Sequence, residues 1–408
     1  MRGRSPRTRE GRIGPTAQKI EERVERSEER ETAMKIRTVQ AYALAYPEPH
    51  YKGIERYITL ARVEADDGTV GWGECISQFR EAALATKLII EQGLAPLLIG
   101  EDARDVERAW NRMLAHIWWY GPEGIAAFGV SAIDMALWDL KGKALGLPVC
   151  QLLGGRLHDK VAAMASIIFD MEDLEWTLNE FRWMVEQGYH YVKAGWGMHP
   201  GAVFGQDAGR DIEYVRRIRE VIGDERELIV DTPGARNLWD VPTAIRRFRQ
   251  LEPYRLRWIE QPLLPSDLEG HARLRAAVAT PIGTGEDEWD VESYGRLIRS
   301  GGVDVVQIDP GRSHGITGSR DIIRLLEVEN LQFSLHTWSS ALNSAASVHL
   351  LAISDHGVSM DLKPHESPMQ HELVSDPWVQ EGGYLAVRDT PGLGVHVREE
   401  IVRKYSFE

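Results

Sequence analysis

The chain has 408 residues, 43% of them hydrophobic, a composition typical of a soluble globular protein that is too long for one ordinary core. Its 62 acidic and 48 basic residues give a formal net charge of −14, so no net basic field attracts phosphates, which argues against nucleic-acid and anionic-membrane partners. No apolar run reaches about 18 residues, and Cys75 and Cys150 lack metal-site spacing, so we expect a cytoplasmic protein without a membrane span.

The first part of the chain reads as an extension followed by a small α+β domain. Residues 1–33 are dense in both charges and poor in apolar side chains, which predicts a disordered or helical extension, and Met34 is expected to begin the folded chain. Over 34–156, two strands joined by a glycine turn precede helical patterns, which predicts an α+β domain. Its loops 45–53 and 117–124 are rich in His, Trp, Tyr and Pro, and they either reach over an active-site mouth or simply pack.

Residues 157–375 alternate short apolar runs with helical patterns. Parallel strands that are buried on both faces read as continuous apolar runs, and a helix usually makes each crossover. The pattern predicts a (β/α)-barrel with its site at the strand C-termini, and residues 376–408 are expected to pack back on the first domain. The predicted strands are Val161–Ile167, Tyr189–Lys193, Glu227–Asp231, Arg257–Glu260, Pro281–Glu286, Asp304–Ile308, Gln332–Leu335 and Val358–Met360.

Three successive predicted strands end on an acidic residue: Asp231, Glu260 and Glu286. Their spacings of 29 and 26 residues suit one strand, one helix and two loops per repeat. Carboxylates at successive strand ends would converge on one mouth of a barrel, where their oxygens suit a hard divalent cation, Mg²⁺ first and Mn²⁺ second. The alternative is that each acid merely caps the next helix. Three acids in register favour the metal site.

Two candidate bases flank these acids. Lys193 ends the second predicted strand and His336 follows the seventh, which places them on opposite sides of the mouth. A partly desolvated lysine beside a cation has its ammonium form disfavoured and can act as a base. Asp309, one strand before His336, is positioned to accept its Nδ1–H. The alternatives are structural: Lys193 pairs with one of the acids, and His336 with Asp309 forms a buried contact. Glu366, beyond the eighth strand, is expected to orient a substrate carboxylate.

A set of short motifs carries a resemblance to a known family. The motifs are the GWGE turn, the ALWDLKGKALGLPVCQLLGG helix, the VD, WIEQP and TGE segments, and the QID and LHTW pair. Over about residues 35–400 they resemble the enolase superfamily in its mandelate racemase subgroup. The resemblance implies a modified (β/α)8 barrel, (β/α)7β, under an N-terminal capping domain, and a homo-oligomer. It also implies one essential Mg²⁺, which holds the enediolate formed when the proton α to a carboxylate is removed.

Matched by position, the resemblance implies roles for single residues. The metal ligands are Asp231, Glu260 and Glu286, the acid/base residues are Lys193 and His336 with Asp309, and the acid near the substrate carboxylate is Glu366. Two departures from the family pattern stand out. Tyr191 replaces the first lysine of a Lys-x-Lys motif, and Thr232-Pro233 follows Asp231 where relatives usually read Ala-Asn, so that Asn237 is a candidate substitute for the missing amide.

We therefore predict a Mg²⁺-dependent acid-sugar dehydratase that forms a 2-keto-3-deoxy acid from a small hydroxylated carboxylic acid. Polar side chains near strand ends fit such a substrate better than a hydrophobic one, and the candidates are Tyr191, His199, Thr232, Arg236, Arg312 and Trp338. The alternative is a racemase or epimerase of a 2-hydroxy acid that uses the same residues. A more remote alternative is a non-catalytic protein that binds a metal and an acid.

Overall fold

The computed structural model describes residues 33–198, 202–233 and 238–408. The predictions for His199, Arg236, Asn237 and residues 1–32 lie outside the described residues. An N-terminal α+β domain caps a closed barrel of eight parallel strands, which confirms the predicted fold class. None of the helices in these ranges combines the length and apolar character that a membrane crossing demands.

The capping domain begins with a three-stranded antiparallel sheet. Its strands follow the chain order and are β1 (Ile36–Glu48), β2 (Ile54–Ala65) and β3 (Val70–Cys75). A 3₁₀ turn, Pro49–Tyr51, lies between β1 and β2. The helices that follow are α1 (Arg80–Leu88), a π-helical segment (Ile89–Leu94), α2 (Ala95–Leu98), α3 (Val106–Ile117), α4 (Ile125–Leu145) and α5 (Val149–Leu152).

The barrel closes because its last strand pairs with its first as well as with its predecessor. The strands in order are β4 (Lys160–Ile168), β5 (Tyr191–Gly195), β6 (Glu227–Asp231), β7 (Trp258–Glu260), β8 (Ile282–Thr284), β9 (Val305–Ile308), β10 (Gln332–Leu335) and β11 (Gly357–Leu362). The crossover helices are α6 (Leu174–Glu186), α7 (Ala208–Ile222), α8 (Val241–Leu251), α9 (Leu268–Arg275), α10 (Val291–Ser300), α11 (Gly315–Glu329) and α12 (Ala341–Leu351). This alternation is the (β/α)7β arrangement.

The C-terminal segment contacts both the barrel and the capping domain. Strand β12 (Tyr384–Ala386) pairs antiparallel with β4, and helix α13 (Glu399–Tyr405) follows it. The backbone N–H of Leu393 donates to Asp139 of α4 (2.9 Å), and that of Phe407 donates to the carbonyl of Ala43 in β1 (3.0 Å). The first bond links the C-terminal segment to α4, and the second links it to β1.

Helix α4 is buried between the capping sheet and the barrel, and two glycines of the GWGE motif allow β3 to lie against it. A Cβ on Gly71 would stand 2.0 Å from the carbonyl oxygen of Ala136, and a Cβ on Gly73 would stand 2.2 Å from that of Ala132. Because both clashes are with backbone, no side-chain movement relieves them. The two glycines of the motif therefore allow β3 to pack closely against α4. The last residue of the motif is Glu74.

The opposite face of α4 is bonded to the barrel through helix α11. The indole N–H of Trp138 donates to the hydroxyl of Thr317 (2.9 Å), and Asp134 accepts from the backbone N–H (2.9 Å) and the hydroxyl (2.6 Å) of the same threonine. Burial raises the pKa of Asp134 to about 7. These buried polar contacts fix the orientation of the capping domain on the barrel.

Replacing Gly73 with alanine should lower the free energy of unfolding by about 1–3 kcal/mol, the usual range for overpacking. Gly209→Ala in α7 is the matched control, because a Cβ there meets only Asp207 Oδ1, at 3.5 Å. Denaturant titration of both variants checks the prediction. Equal midpoints for the two variants would show that β3 and α4 are not held at the distance described.

Candidate active site

The three predicted acids come together at the C-terminal mouth of the barrel. Asp231 ends β6, Glu260 ends β7, and Glu286 follows β8 by two residues, so the acids come from three neighbouring strands. Asp231 and Glu260 are buried, and the side chain of Glu286 is 15% exposed.

Other residues cap the helices that follow these strands. Asp240 caps α8, Asp267 caps α9 and Asp290 caps α10, each through its side chain. The alternative reading of the site acids as helix caps is therefore wrong.

Lys193, in the middle of β5, inserts its ammonium among the carboxylates. Its Nζ lies 2.5 Å from Glu260 Oε1, 3.4 Å from Asp231 Oδ2 and 3.3 Å from Asp361 Oδ2. Burial alone would lower the pKa of Lys193, but the carboxylates of Asp361, Glu260 and Asp231 outweigh it and raise that pKa well above its ordinary value. Lys193 is thus a charged partner of the acids in this structure, which is the pairing that the sequence left open.

Asp361 is a site residue that the sequence analysis passed over. It lies in β11, is buried, and contacts Lys193. The signal was present, because Asp361 follows the apolar run of its strand just as the other three acids do. Glu366, which was selected instead, is exposed five residues farther along. Its proposed contact with a substrate carboxylate stays a prediction that this position does not favour.

His336 and Asp309 form a dyad on the other side of the mouth. His336 directly follows β10, and its Nδ1 lies 2.7 Å from Asp309 Oδ2. A carboxylate only accepts, so Nδ1 carries the proton and Nε2 faces the site, 3.8 Å from Glu286 Oε2. Burial alone would lower the pKa of His336, but Glu286 and Asp309 outweigh it and raise the pKa to about 10.

Asp309 is itself held in place by the scaffold. It is buried, and its Oδ1 accepts from the side-chain amide of Asn343 (3.0 Å) and the backbone N–H of Gly311 (2.7 Å). These bonds fix the carboxylate and, through it, the ring of His336.

The carboxylates suit a divalent cation because they offer oxygen donors and because several of these oxygens have no hydrogen-bond partner among the described residues. Asp231 Oδ1, Glu286 Oε2 and Asp361 Oδ1 are buried oxygen atoms without a hydrogen-bond partner in the described part of the chain. Burial raises the pKa of Asp231 well above its usual range and that of Glu286 to about 7, which marks negative charge that is incompletely compensated. The ligand atoms of Asp231, Glu260 and Glu286 do not all lie within 4.8 Å of one another, and the ammonium of Lys193 contacts two of these acids. An all-oxygen donor set suits Mg²⁺.

An apolar layer inside the barrel forms the floor beneath these charges. It consists of Met164, Ile229, Trp258 and Val305, with Tyr191 and Val358 packed against it. The indole N–H of Trp258 donates to Glu260 Oε2 (3.0 Å), so the floor also orients one acid. Tyr191 lies two residues before Lys193 on the same face of β5, and this placement favours packing over the substrate contact that we predicted for it.

The other predicted substrate residues lie around the mouth. Trp338 donates its indole N–H to the carbonyl of Ser166 (3.1 Å), with the guanidinium of Arg56 over its ring at 4.9 Å. Arg312 lies over the ring of Trp289 at 4.2 Å. The hydroxyl of Thr232 donates to backbone carbonyls of β7 and the residue after it (2.9 and 2.6 Å), so its proton is already used within the protein.

Comparison with known proteins confirms the resemblance. Residues 51–154 match the family described as "Mandelate racemase / muconate lactonizing enzyme, N-terminal domain", and residues 177–401 match the family described as "Enolase C-terminal domain-like". The two matches together span most of the capping domain and nearly all of the barrel.

Individual relatives are similar over nearly their whole length. A D-galactarolactone cycloisomerase of Agrobacterium fabrum is 27% identical over 359 residues, 85% of this chain and 90% of the relative. A D-galactonate dehydratase of Klebsiella pneumoniae is 30% identical over 357 residues, again 85% and 90%. The structure of a racemase from Streptomyces coelicolor with bound magnesium superposes with a TM-score of 0.80 at 27% identity, covering 91% of this chain and 100% of that one.

Mg²⁺ should stabilise the chelator-treated protein, by about 2–3 kcal/mol when its concentration is about 100 times the dissociation constant, because binding to the folded state alone shifts the unfolding equilibrium. Asp231→Asn and Glu286→Gln should each lose most of this shift in a thermal melt. Glu288→Gln, two residues along the same loop, is the control and should keep it. A Mg²⁺ shift that survives in Asp231→Asn and Glu286→Gln alike would place the ion elsewhere.

Proposed function

The chain belongs to the mandelate racemase/muconate lactonizing enzyme family of the enolase superfamily, and on that premise we propose that it is an acid-sugar dehydratase. It would remove the proton α to the carboxylate of a small hydroxylated acid and expel the β-hydroxyl, giving a 2-keto-3-deoxy acid. The observation that carries the proposed proton transfer is the placement of Lys193 and His336 on two sides of one carboxylate cluster.

We propose Mg²⁺ as the resident cofactor, with Mn²⁺ as a substitute, held by Asp231, Glu260 and Glu286. The bound ion would offset the second negative charge that develops on the substrate carboxylate as the α-proton leaves. The magnesium in the racemase from Streptomyces coelicolor supports this assignment. The buried, unpartnered carboxylate oxygens support it independently.

The chain's own residues supply the proton transfers. The carboxylates of the cluster raise the pKa of Lys193 and of His336, and a cation bound to these carboxylates would offset their charge and so allow either group to act as a base. Lys193 Nζ would then serve one face of the substrate and His336 Nε2 the other, and either could take the α-proton, depending on the configuration at that carbon. In dehydration, the protonated His336 gives its proton to the departing β-hydroxyl. Asp309 accepts a hydrogen bond from the Nδ1–H of His336 (2.7 Å), so only Nε2 of His336 exchanges protons with the substrate. We propose that Asp361 positions Lys193, which it contacts at 3.3 Å.

Two related outcomes use the same first step. Two relatives are named cycloisomerases, and they favour a reaction on a cyclic substrate. After the same proton removal, a ring oxygen at the β-position would leave there instead of a hydroxyl. The racemase from Streptomyces coelicolor favours the other, in which the proton returns from the opposite face. We place dehydration first because several relatives act as D-gluconate, arabinonate or D-galactonate dehydratases.

The wider setting of the enzyme is also a proposal. We propose a cytoplasmic homo-oligomer that acts on a small hydroxylated acid and has no nucleic-acid or membrane partner. The net charge of −14 argues against nucleic-acid and anionic-membrane partners, and two separate cysteines suit a reducing compartment. The homo-oligomer rests on the family resemblance alone.

A panel of C4 to C6 aldonic, aldaric and lactone acids, incubated with the enzyme and Mg²⁺, separates the three outcomes. A 2-keto-3-deoxy product formed from an open-chain acid with loss of water supports the dehydratase. Turnover of lactones alone, with no water released, identifies a cycloisomerase, and an epimer without a new carbonyl identifies the racemase. Both of these results would replace the proposal.

The acid/base assignment is tested with the substrate so identified. Lys193→Ala and His336→Asn should each lower kcat by about 10²–10⁴-fold, the usual contribution of a positioned proton-transfer group. His158→Asn is the matched control, because His158 forms a similar ion pair with Asp355 (3.1 Å) on the surface. Unchanged turnover in Lys193→Ala and His336→Asn would overturn the assignment of both bases.

A further inference from the structure

Two histidines and a glutamate converge at the rim of the barrel, outside the carboxylate cluster. His50 lies in the 3₁₀ turn of the capping loop 45–53, Glu180 lies on α6, and His365 lies in the segment after β11. The Nε2 atoms of His50 and His365 lie 3.0 and 2.5 Å from the same oxygen, Glu180 Oε2. In the described ranges this is the one group of three such side chains whose ligand atoms all lie within 4.8 Å of one another.

Helix α6 builds the site around the histidines. Trp176, Glu180 and Trp183 are spaced to share one face of the helix. The ring of His50 lies 5.5 Å from that of Trp176, the two imidazoles stack at 3.5 Å, and His365 stacks on Trp183 at 4.5 Å. The two tryptophans therefore enclose the histidines on either side, with the carboxylate between them.

We propose that His50, Glu180 and His365 form a second metal site, which takes a first-row transition ion such as Zn²⁺ and ties the capping loop to the barrel rim. Two imidazoles and a carboxylate are a three-ligand set of the kind found in open zinc sites. Imidazole nitrogen binds Zn²⁺ and other first-row transition ions in preference to Mg²⁺. This site would therefore take Zn²⁺, and the all-oxygen carboxylate cluster would take Mg²⁺. The proposal is independent of the reaction that the barrel catalyses.

Access and charge agree with this assignment. The side chains of His50 and His365 are 24% and 18% exposed, so an ion can enter from solvent and keep a water as its fourth ligand. An imidazole that ligates a metal is neutral, so a ligand set of two imidazoles and one carboxylate carries a single negative charge, which a divalent ion more than balances.

Ion binding has a structural consequence. In this structure the rings of His50 and His365 are nearly parallel, at 17°, and an ion between parallel rings would lie outside both ring planes. Metal–nitrogen bonds of about 2.0–2.1 Å in the ring plane require the rings to part. Zinc should therefore break the stack of His50 on His365 while leaving Glu180 between their Nε2 atoms.

Zinc titration of the chelator-treated, full-length enzyme in millimolar Mg²⁺ tests the proposal, with a competing chromophoric chelator as the readout. The wild type should bind one equivalent of Zn²⁺ that His50→Gln, His365→Gln and Glu180→Gln bind at least about 10-fold more weakly. His396→Gln is the matched control, since His396 forms a two-residue pair with Asp376 (3.0 Å) on the surface, and it should bind zinc like the wild type. Equal zinc affinity and stoichiometry in all five proteins would overturn the proposal.

A second measurement does not depend on the variants folding. Crystals of the wild-type protein soaked in Zn²⁺ should show an anomalous peak bonded to both Nε2 atoms and to Glu180, with the two rings separated. The absence of that peak at saturating zinc, with the rings still stacked and hydrogen-bonded to Glu180, would identify the cluster as a hydrogen-bonded clamp and refute the metal site.

Discussion

Like charges buried together at the mouth of the barrel are the constraint on which this molecule depends. Asp231, Glu260 and Asp361 lie in three strands of one sheet, and Glu286 follows a fourth. The barrel brings the first three carboxylates within 3.4 Å of the Lys193 ammonium, and Glu286 is close enough to raise the pKa of that lysine. One lysine cannot neutralise four acids, and three of their oxygens have no hydrogen-bond partner among the described residues. Burying these charges without compensation destabilises the folded state. A divalent cation bound to the carboxylates would compensate them.

The rest of the fold holds this charged cluster in a fixed and enclosed place. An apolar floor lies beneath it and fixes Glu260 through Trp258. The dyad of His336 and Asp309 is anchored by backbone and amide donors, so the imidazole presents one nitrogen to the site. The capping domain is fastened by helix α4, which packs against the glycines of β3 on one side and bonds to Thr317 on the other.

The barrel strands and three of the site acids could be predicted from the sequence, because parallel barrel strands are short apolar runs that end abruptly. The seventh predicted strand, Gln332–Leu335, has the same bounds in the structure, and the three acids were found by their position after such runs. The second strand was predicted two residues early, since the backbone of Tyr189 still closes the turn of α6 by bonding to Met184. Strand periodicity is weakest at such boundaries.

Two features were not predicted from the sequence, for different reasons. Asp361 was passed over in favour of Glu366, because the eighth strand was predicted to end at Met360, and only the structure shows Asp361 inside it and buried. The group of His50, Glu180 and His365 spans positions 130 and 185 residues apart, on a loop, a helix and a segment after a strand. No local pattern connects such residues, and only the docking of the capping domain on the barrel brings them together.

Proton NMR in D₂O with Mg²⁺ and the acid that the enzyme turns over fastest tests the central claim most directly. If Lys193 and His336 remove the α-proton at this mouth, the C2 proton signal disappears and the new C3 methylene of the product carries one deuterium. Chelation of the metal should stop both changes together. A product formed with its original C2 hydrogen retained, or full turnover in the absence of any divalent ion, would contradict the account.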